Sequence, residues 1–377
     1  MFTGDEEIGH HAQDFFTTIF RSNGIQVSPI DFADFKPSVT NTINVDLTKT
    51  FSDCEIYEAI CQIGDDKTPG PDELTTRFYK QCWDIVDNDV ILEVKNFFAT
   101  STLRTNINHT NICMIPKVTN PTTLSDYRSI ALCNVLYKVI SKCLVTRLKA
   151  HLNTIVSDSQ AVFIPGRIIN DNFMIAHEIM HSLKVRKSVT KSYMAVKTDV
   201  SKAYDRVEWD FLETTMRVFG FCDKWIGWIM AAVKSVHYSV LINGSPHGHI
   251  TPTRGIRQRD PLSPYLFILC SDILGHLINA KASSGDIRGV RVGNGAPAIT
   301  HLQFADDSLF FCQANARNCQ ALKDVFDVYE YYSGQKINVQ KSMITFGSRV
   351  YGLTQSHLKM VLNIPNQGGG GKYLGLP

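Results

Sequence analysis

The feature that most constrains this chain is a pair of adjacent aspartates, Asp306 and Asp307, placed between two apolar runs. The runs cover residues 299–304 and 308–312, and they predict a β-hairpin with the aspartates at its turn. A third carboxylate, Asp199, comes near the end of a strand predicted over residues 193–200. Any fold for this chain must therefore place three acidic side chains at the ends of apolar strands.

These aspartates have two interpretations. Adjacent aspartates are common in β-turns, where the side chains bind only the local backbone. Carboxylates brought together from separate strands instead repel one another, and a bound divalent cation relieves that repulsion. Mg²⁺ takes carboxylate oxygens and keeps water or phosphate as its other ligands. The combination of Asp199 with Asp306 and Asp307 therefore favours a two-metal site for phosphoryl transfer.

The composition is that of a globular protein. Of the 377 residues, 44% are hydrophobic and 20% are charged, which excludes wholesale disorder. The most apolar stretch, residues 262–278, is interrupted by polar residues and is too short to span a membrane. The N-terminus lacks the features of a signal peptide, and the ten cysteines include no C-x-x-C pair. The sequence predicts an intracellular protein, nuclear or cytoplasmic, that is not secreted.

The net charge of +2 conceals an uneven distribution. Residues 1–100 hold 7 Lys and Arg against 18 Asp and Glu, whereas residues 101–260 hold 21 against 11. A basic segment favours contact with a polyanion such as nucleic acid, and an acidic segment disfavours it. The alternative to nucleic-acid binding is that these charges are unevenly distributed over a surface that contacts only solvent.

The predicted elements divide the chain at about residue 97 and indicate an α+β fold. Residues 1–97 are expected to form a helical N-terminal extension, with helices after the capping box at Ser52 and over 75–83 and 89–99, and with a loop over 22–50. Residues 98–377 mix both types of element. Strands are predicted over 112–116, 193–200, 238–242 and 342–346, and helices over 136–152, 209–219, 224–233, 262–277 and 319–332.

Motifs along almost the whole chain resemble, in order, the reverse transcriptase of plant LINE-type (non-LTR) retrotransposons. The aspartates lie in two of these motifs, Asp199-Val-Ser-Lys-Ala-Tyr-Asp-Arg-Val-Glu-Trp209 and Phe304-Ala-Asp-Asp307. The others are Thr68-Pro-Gly-Pro-Asp72, Ile115-Pro-Lys117, Asp126-Tyr-Arg-Ser-Ile130, Phe163-Ile-Pro-Gly-Arg167, Asp171-Asn172, Gly255-Ile-Arg-Gln258, Pro261-Leu-Ser-Pro264, Ser333-Gly-Gln-Lys-Ile-Asn338 and Lys372-Tyr-Leu-Gly-Leu-Pro377.

The resemblance implies a right-hand polymerase fold, with fingers, a palm with a ferredoxin-like core, and a truncated thumb. It implies an RNA-directed DNA polymerase that extends a DNA primer on an RNA template with dNTPs, using two Mg²⁺ ions or Mn²⁺. By the same resemblance, Asp199, Asp306 and Asp307 are the catalytic and metal-binding carboxylates. Members of the family carry an endonuclease upstream, so this chain is expected to be a fragment of a longer protein.

Four further residues match substrate-binding positions of the family. Tyr204 matches the residue that abuts the sugar of the incoming nucleotide and excludes a 2′-hydroxyl; the alternative is a core aromatic. Lys117 and Arg128 match residues that contact the triphosphate, and the alternative is ordinary surface charge. Gln258 matches a residue beside the nucleotide sugar or templating base, and could instead be a helix cap. Gly166 and Arg167 are expected to contact the template.

Four positions depart from the family pattern. Arg259 follows Gln258 where the family has glycine, and Glu73 replaces the glycine that follows Pro-Gly-Pro-Asp. Ser129 stands where the family has proline, and Thr198 replaces an aliphatic residue before Asp199. Arg259 and the expected truncation favour an alternative in which the chain is a catalytically dead fragment that at most binds RNA. A second alternative, a group II intron maturase, is disfavoured because no basic domain follows the palm motifs.

Overall fold

The computed structural model describes residues 4–27, 32, 35–185, 192–293 and 295–368. The Lys372–Pro377 motif lies outside the described residues. The chain divides into two compact units, and each is described by itself. Unit 1 comprises Met1–Pro29, Lys36–His151 and Tyr204–Leu266, and unit 2 comprises Ile30–Phe35, Leu152–Ala203 and Phe267–Pro377.

Helices and strands alternate through most of the chain. The helices are α1 (Asp5–Ile19), α2 (Asn41–Leu47), α3 (Asp53–Cys61), α4 (Thr76–Gln81), α5 (Trp83–Thr100), α6 (Val135–Ile155), α7 (Ile169–Val185), α8 (Trp209–Phe219), α9 (Asp223–Lys234), α10 (Ser263–Ser283), α11 (Ala316–Ser333) and α12 (Gly352–Leu362). The strands are β1 (His109–Pro116), β2 (Tyr127–Cys133), β3 (Tyr193–Thr198), β4 (His237–Ile242), β5 (Ser245–Ile250), β6 (His301–Phe304), β7 (Asp307–Gln313) and β8 (Met343–Phe346). The predicted α+β class is confirmed.

Unit 2 contains a four-stranded sheet in the order β6-β7-β3-β8, and every strand pair in it is antiparallel. With β3 as the first strand, the β6–β7 hairpin next, α11 after it and β8 last, this is the ferredoxin-like arrangement expected for a polymerase palm. Side chains of α7 pack on one face of the sheet, where Ile179 and Leu183 join Ala195 and Phe311 in a buried core. On the other face Phe310 meets Phe326 of α11 edge-on, with ring centroids 5.0 Å apart.

Unit 1 contains a second four-stranded sheet, in the order β2-β1-β4-β5, in which β1 and β4 are parallel and the other pairs are antiparallel. Helix α1 covers one face of this sheet: Ala12, Phe16 and Phe20 are buried against Tyr238 and neighbouring aliphatic residues. The predicted strand over 112–116 thus begins three residues earlier, at His109, and pairs on both sides.

The N-terminal helices differ from the prediction in two places. Helix α2 lies within residues 22–50, which were expected to be a loop; its polar sequence begins after Thr40, whose hydroxyl accepts a hydrogen bond from the Ile43 N–H at 3.3 Å. Helix α5 begins at Trp83, six residues before the predicted start at Asp89, and it runs past residue 97. The predicted capping box of Ser52 and Glu55 is confirmed. A domain boundary at residue 97 stays a prediction.

The Thr68–Asp72 motif packs against the start of α6. A Cβ atom on Gly70 would lie 2.1 Å from Asn134 Oδ1 and 2.4 Å from the Asn134 backbone nitrogen, so only glycine fits there. Lys138 donates a hydrogen bond to the Thr68 carbonyl at 2.9 Å, and the Asp72 N–H donates to Asn134 Oδ1 at 3.3 Å. The motif therefore has a structural role in unit 1.

A search of the described helices finds none with the length and apolar character needed to cross a membrane.

Candidate functional site

The strand register of unit 2 brings two of the three predicted carboxylates together. Thr198, the last residue of β3, pairs with Ser308 of β7. Extending this antiparallel register by one residue places Asp199 opposite Asp307, where paired residues have Cα atoms roughly 4.5–5.5 Å apart. Both side chains lie on the sheet face that α7 covers, because Ala195 and Phe311 share it.

The third carboxylate, Asp306, lies in the two-residue turn of the β6–β7 hairpin. Phe304 pairs with Asp307 across the hairpin, so Ala305 and Asp306 alone form the turn. Ala305 has a φ of 51°, the left-handed conformation that such tight hairpin turns require. The predicted hairpin is therefore confirmed, and its strands begin and end within two residues of the predicted limits.

The carboxylates of this site affect one another's ionisation. Burial raises the pKa of Asp199, and the charge of Asp307 raises it further, against the opposing charges of Lys341 and Lys197. Asp306 reaches solvent at the turn, but the protein around it raises its pKa, and the charges of Asp307 and Asp199 add to that effect. The three groups are thus close enough for their charges to oppose each other, as predicted for carboxylates that share a cation.

Three neighbours of the carboxylates were not identified as site residues from the sequence. Lys197 lies on β3 two residues before Asp199, and its Nζ is 3.6 Å from Asp307 Oδ1. Asn338 holds Asp199 in place, since its N–H donates to the Asp199 carbonyl at 2.7 Å and its side chain is hydrogen-bonded to the carboxylate. Lys341 adds a second positive charge. Asn338 ends the Ser333–Asn338 motif, so the resemblance contained this signal.

As these side chains stand, no three or more His, Cys, Asp or Glu groups in the described part of the chain are arranged to hold a metal ion. The donor chemistry nevertheless fits the cation predicted from the sequence: carboxylates are the oxygen ligands that Mg²⁺ prefers, and the charge of Asp307 helps to raise the pKa values of Asp199 and Asp306. Asp199, Asp306 and Asp307 as metal ligands therefore stay a prediction.

In unit 1, the predicted triphosphate-binding residues Lys117 and Arg128 lie at the same end of the β1–β2 pair. Arg128 pairs with Ile115 in the register, and Lys117 follows the last residue of β1. Both residues are exposed, and Lys117 donates a hydrogen bond through Nζ to the Ser125 carbonyl at 2.9 Å. Both residues thus lie at the same accessible end of the β1–β2 pair.

Tyr204 and Gln258 also lie near each other in unit 1, where two chain segments are joined by hydrogen bonds. The Ile256 N–H donates to the Tyr204 carbonyl at 2.9 Å, and the Gly255 N–H donates to the Val207 carbonyl at 2.7 Å. Gln258 donates through Nε2 to Oδ1 of the buried Asp205 at 3.1 Å. Tyr204 is half-buried rather than enclosed in the core, and Gln258 caps no helix.

Both residues that replace family glycines have left-handed backbones. Arg259 has a φ of 73° and Glu73 a φ of 59°. Arg259 is confined between two anchored neighbours: the Gln258 carbonyl accepts a hydrogen bond from the Ala131 N–H at 3.3 Å, and Asp260 is buried and accepts from the Tyr137 hydroxyl at 2.8 Å. The chain must turn within a single residue there, which explains why glycine suits the position.

Ser129 and Arg167 have surroundings that bear on their predicted roles. Ser129 is buried in β2, and no partner for its Oγ is found among the described residues. The Ala131 N–H points away from β1 toward Gln258, so the Ser129 N–H, two residues before it, also points away and a proline would not break the β1–β2 ladder. Arg167 donates to the carbonyls of Val156, Ser157 and Gln160, and its contact with the template stays a prediction.

Comparison with known proteins gives two relatives that belong to transposable elements and a shorter mitochondrial one. The chain is 24% identical to an uncharacterized 149 kDa protein of transposon TX1 from Xenopus laevis, over 89% of this chain and 25% of the relative. It is 28% identical to the retrovirus-related Pol polyprotein of the type-2 retrotransposable element R2DM from Drosophila melanogaster, over 73% of this chain and 24% of the relative. An uncharacterized mitochondrial protein of Arabidopsis thaliana is 54% identical over 68 residues, which are 18% of this chain and 56% of the relative.

The chain spans about a quarter of the length of the Xenopus and Drosophila relatives. Residues 115–377 match the sequence model of the family described as reverse transcriptase (RNA-dependent DNA polymerase). That match includes both segments that carry the aspartates, and it also includes Lys117, Arg128, Tyr204 and Gln258. With the ferredoxin-like sheet and its paired carboxylates, it places the chain in the reverse transcriptase family.

Proposed function

We propose that this chain is the polymerase region of a non-LTR retrotransposon protein and that it extends a DNA primer along an RNA template. The observation that carries the proposal is the register of the unit 2 sheet, which pairs Thr198 with Ser308 and so brings the next residue, Asp199, near Asp307, beside the turn that holds Asp306. The family match and the retrotransposon relatives support it.

In this proposal, Asp199, Asp306 and Asp307 bind two Mg²⁺ ions, or Mn²⁺ in their place. The bound ions would supply charge stabilisation for the entering 3′-oxygen and the leaving pyrophosphate. The protein contributes the positions of the carboxylates: the β3–β7 register orients Asp199 and Asp307, and Asn338 fixes the backbone of Asp199. Lys197 limits the repulsion between the carboxylates through its ion pair with Asp307.

The residues of unit 1 bind the nucleotide in this proposal. Lys117 and Arg128 contact the triphosphate with their exposed cationic groups, and the ring of Tyr204 excludes a 2′-hydroxyl. Gln258 lies beside the sugar or the templating base, with its amide oriented by the hydrogen bond to Asp205. An RNA template, a DNA primer and dNTPs are the proposed partners, and their phosphates require binding that weakens as salt rises.

Three wider expectations belong to the same proposal. A plant LINE element is the proposed origin, and the short relative from Arabidopsis thaliana supports it. Residues 1–97 form a helical extension, and the fingers and palm occupy 98–377 up to the start of a thumb. The protein acts inside the cell, in the nucleus or cytoplasm, with an endonuclease region upstream in the full-length element.

A catalytically dead copy that binds RNA is the second candidate, and one observation favours it. Arg259 combines a left-handed backbone with a long charged side chain next to Gln258. A residue forced into that conformation costs roughly 1–3 kcal/mol, and a shift of about 1 Å at the nucleotide can cost about 100-fold in rate.

Primer extension separates the two candidates. The chain is mixed with a DNA primer annealed to an RNA template and dNTPs, with Mg²⁺, with Mn²⁺, or with a chelator. The polymerase proposal expects primer extension that depends on the metal and on the templating sequence. Binding of the primed RNA without extension under any metal condition would favour the dead copy, and loss of both would contradict both candidates.

A further inference from the structure

One buried residue lies directly behind the turn that carries Asp306. The segment that follows α6 runs along the edge strand β6: the Gln303 N–H donates to the Ser159 carbonyl at 2.9 Å, and the Ala161 N–H donates to the Gln303 carbonyl at 3.3 Å. Between these two bonds, the side chain of Gln160 is fully buried. The segment therefore extends the palm sheet beyond β6 and points one amide at the hairpin.

The amide of Gln160 makes a hydrogen bond to the turn. Its Oε1 accepts from the Ala305 N–H at 3.4 Å and from the Val162 N–H at 3.3 Å, and its Nε2 donates to Ser271 Oγ at 3.3 Å. Ala305 is the turn residue with the left-handed φ of 51°. Ala305 lies inside the turn that the Phe304–Asp307 pair closes, so its N–H is outside the β6–β7 ladder and Gln160 supplies the partner.

The side chain of Gln160 is itself held firmly. Arg167 donates to the Gln160 carbonyl at 2.6 Å and to the Val156 carbonyl at 2.9 Å, which fixes the segment after α6. Gln303 donates through Nε2 to the Ser271 carbonyl at 2.9 Å and is also fully buried. Turning the Gln160 amide over would set its NH₂ group against the N–H groups of Ala305 and Val162, and a buried hydrogen bond left unmade costs about 1–3 kcal/mol.

We infer that Gln160 is a positioning residue for the Asp306–Asp307 turn: its side-chain carbonyl fixes the Ala305 amide, and through it the direction of the two aspartates. This inference rests on the proposed polymerase function for its catalytic consequence, but the hold on the turn is a property of the fold alone. Arg167 contributes indirectly by fixing the segment that carries Gln160.

The test compares Gln160→Met, which keeps the volume and removes both polar atoms, with Gln160→Glu. As a neutral buried acid, the glutamate retains a carbonyl oxygen for Ala305 and a donor for Ser271. The matched control is Asn318→Leu, which removes a buried amide of the same unit that accepts from the Arg288 N–H at 2.7 Å and donates to Asn315 Oδ1 at 3.1 Å. The readouts are hydrogen exchange of a peptide covering 303–308, Mn²⁺ affinity, and steady-state extension kinetics.

For Gln160→Met we expect exchange in 303–308 to accelerate about 10-fold or more, since the lost bond frees the turn. We expect Mn²⁺ affinity to fall, and kcat to fall about 10- to 100-fold with the dNTP KM within about twofold. Gln160→Glu should restore most of the exchange rate, Mn²⁺ affinity and kcat of the parent. Asn318→Leu should change none of these three quantities when its thermal stability equals that of Gln160→Met.

The outcomes separate the inference from the function beneath it. Exchange in 303–308 that is the same for Gln160→Met as for Asn318→Leu overturns the positioning role, whatever the activity. Accelerated exchange in Gln160→Met, together with a parent protein that never extends a primer, supports the positioning role and rejects the proposed polymerase.

Discussion

The sheets of the two units both present charged side chains at strand ends, but in different surroundings. In unit 2, Asp199 stands opposite Asp307, and burial and like charge raise its pKa. In unit 1, Lys117 and Arg128 extend into solvent from the end of β1–β2. Exposed cations cost the fold little, whereas confined carboxylates of like charge reduce its stability.

Because of this difference, substitutions of the unit 2 carboxylates and of the unit 1 cations should have different effects on activity and stability. A raised folded-state pKa means that protonation favours the folded protein, so the ionised acids lower stability above that pKa. Replacing such an acid by its amide should therefore abolish activity without lowering the melting temperature. Replacing an exposed cation should weaken nucleotide binding and leave stability unchanged.

The largest expected effect is that of Asp307→Asn. Loss of a metal-binding carboxylate should reduce primer extension by at least about 1,000-fold while template affinity stays near that of the parent, because the charge acts in the transition state. Single-turnover extension and equilibrium binding of primed RNA measure the two quantities. Asp327→Asn is the matched control, since Asp327 is an exposed aspartate of α11 paired with Lys323. Activity of Asp307→Asn within tenfold of the control would remove Asp307 from the mechanism.

Tyr204→Val tests the proposed nucleotide-binding role of the unit 1 residues. If the ring excludes the 2′-hydroxyl sterically, the variant should lower the preference for dNTP over rNTP by about 10- to 100-fold, as expected for removal of a clash at one substrate group. The ratio of kcat/KM for the two nucleotides is the measurement, and Tyr331→Val, at an exposed tyrosine of α11, is the control. An unchanged ratio would return Tyr204 to a packing role.

Arg259→Gly and Glu73→Gly form a pair matched in backbone strain, since both positions have positive φ. Each change should stabilise the fold modestly, by about 1 kcal/mol, because glycine tolerates this conformation. Only Arg259→Gly should raise kcat, by about tenfold, because it also removes a charged side chain next to Gln258. Thermal unfolding and extension rates measure the two effects. Equal extension rates for the parent and both variants would show that Arg259 does not reduce activity.

The smallest expected effect is that of Ser129→Ala. The buried Ser129 Oγ lacks a partner among the described residues, so removing it should raise the free energy of unfolding by up to about 1 kcal/mol. Denaturant unfolding measures this, and Ser125→Ala, at an exposed serine, is the control. A clear loss of stability in Ser129→Ala would mean that the hydroxyl is satisfied by water.

Local patterns in the sequence predicted most of the palm. The alternation around Asp199 and the apolar runs flanking Asp306 were sufficient for β3 and the β6–β7 hairpin, because side-chain period and turn chemistry are local properties. Helix α2 was missed because its asparagines and threonines are typical of loops, and its stability comes from burial of Ile43 and Leu47.

Contacts between distant segments could not be predicted in the same way. Gln160 and Ala305 are 145 residues apart, and Asn338 meets Asp199 across a separation of similar size. The hydrogen bonds of Arg167 to backbone carbonyls also depend on the fold, and the family motif did not indicate them. The left-handed φ of Arg259 was not predicted as such, although the glycine expected at that position is consistent with it.

The central claim is that the carboxylates of unit 2 form a cation site, and Mn²⁺ binding tests it most directly. Electron paramagnetic resonance measures the free Mn²⁺ that remains when Mn²⁺ is added to the parent protein, to Asp199→Asn or to the control Asp327→Asn. Each protein is measured at about pH 7.5 and at about pH 5. Because the pKa values of Asp199 and Asp306 are raised, protons compete with the metal, and affinity for the parent should fall as the pH is lowered. We predict clear binding for the parent and Asp327→Asn at the higher pH and at least a tenfold loss for Asp199→Asn. Equal binding by the parent and Asp199→Asn at both pH values would contradict the claim.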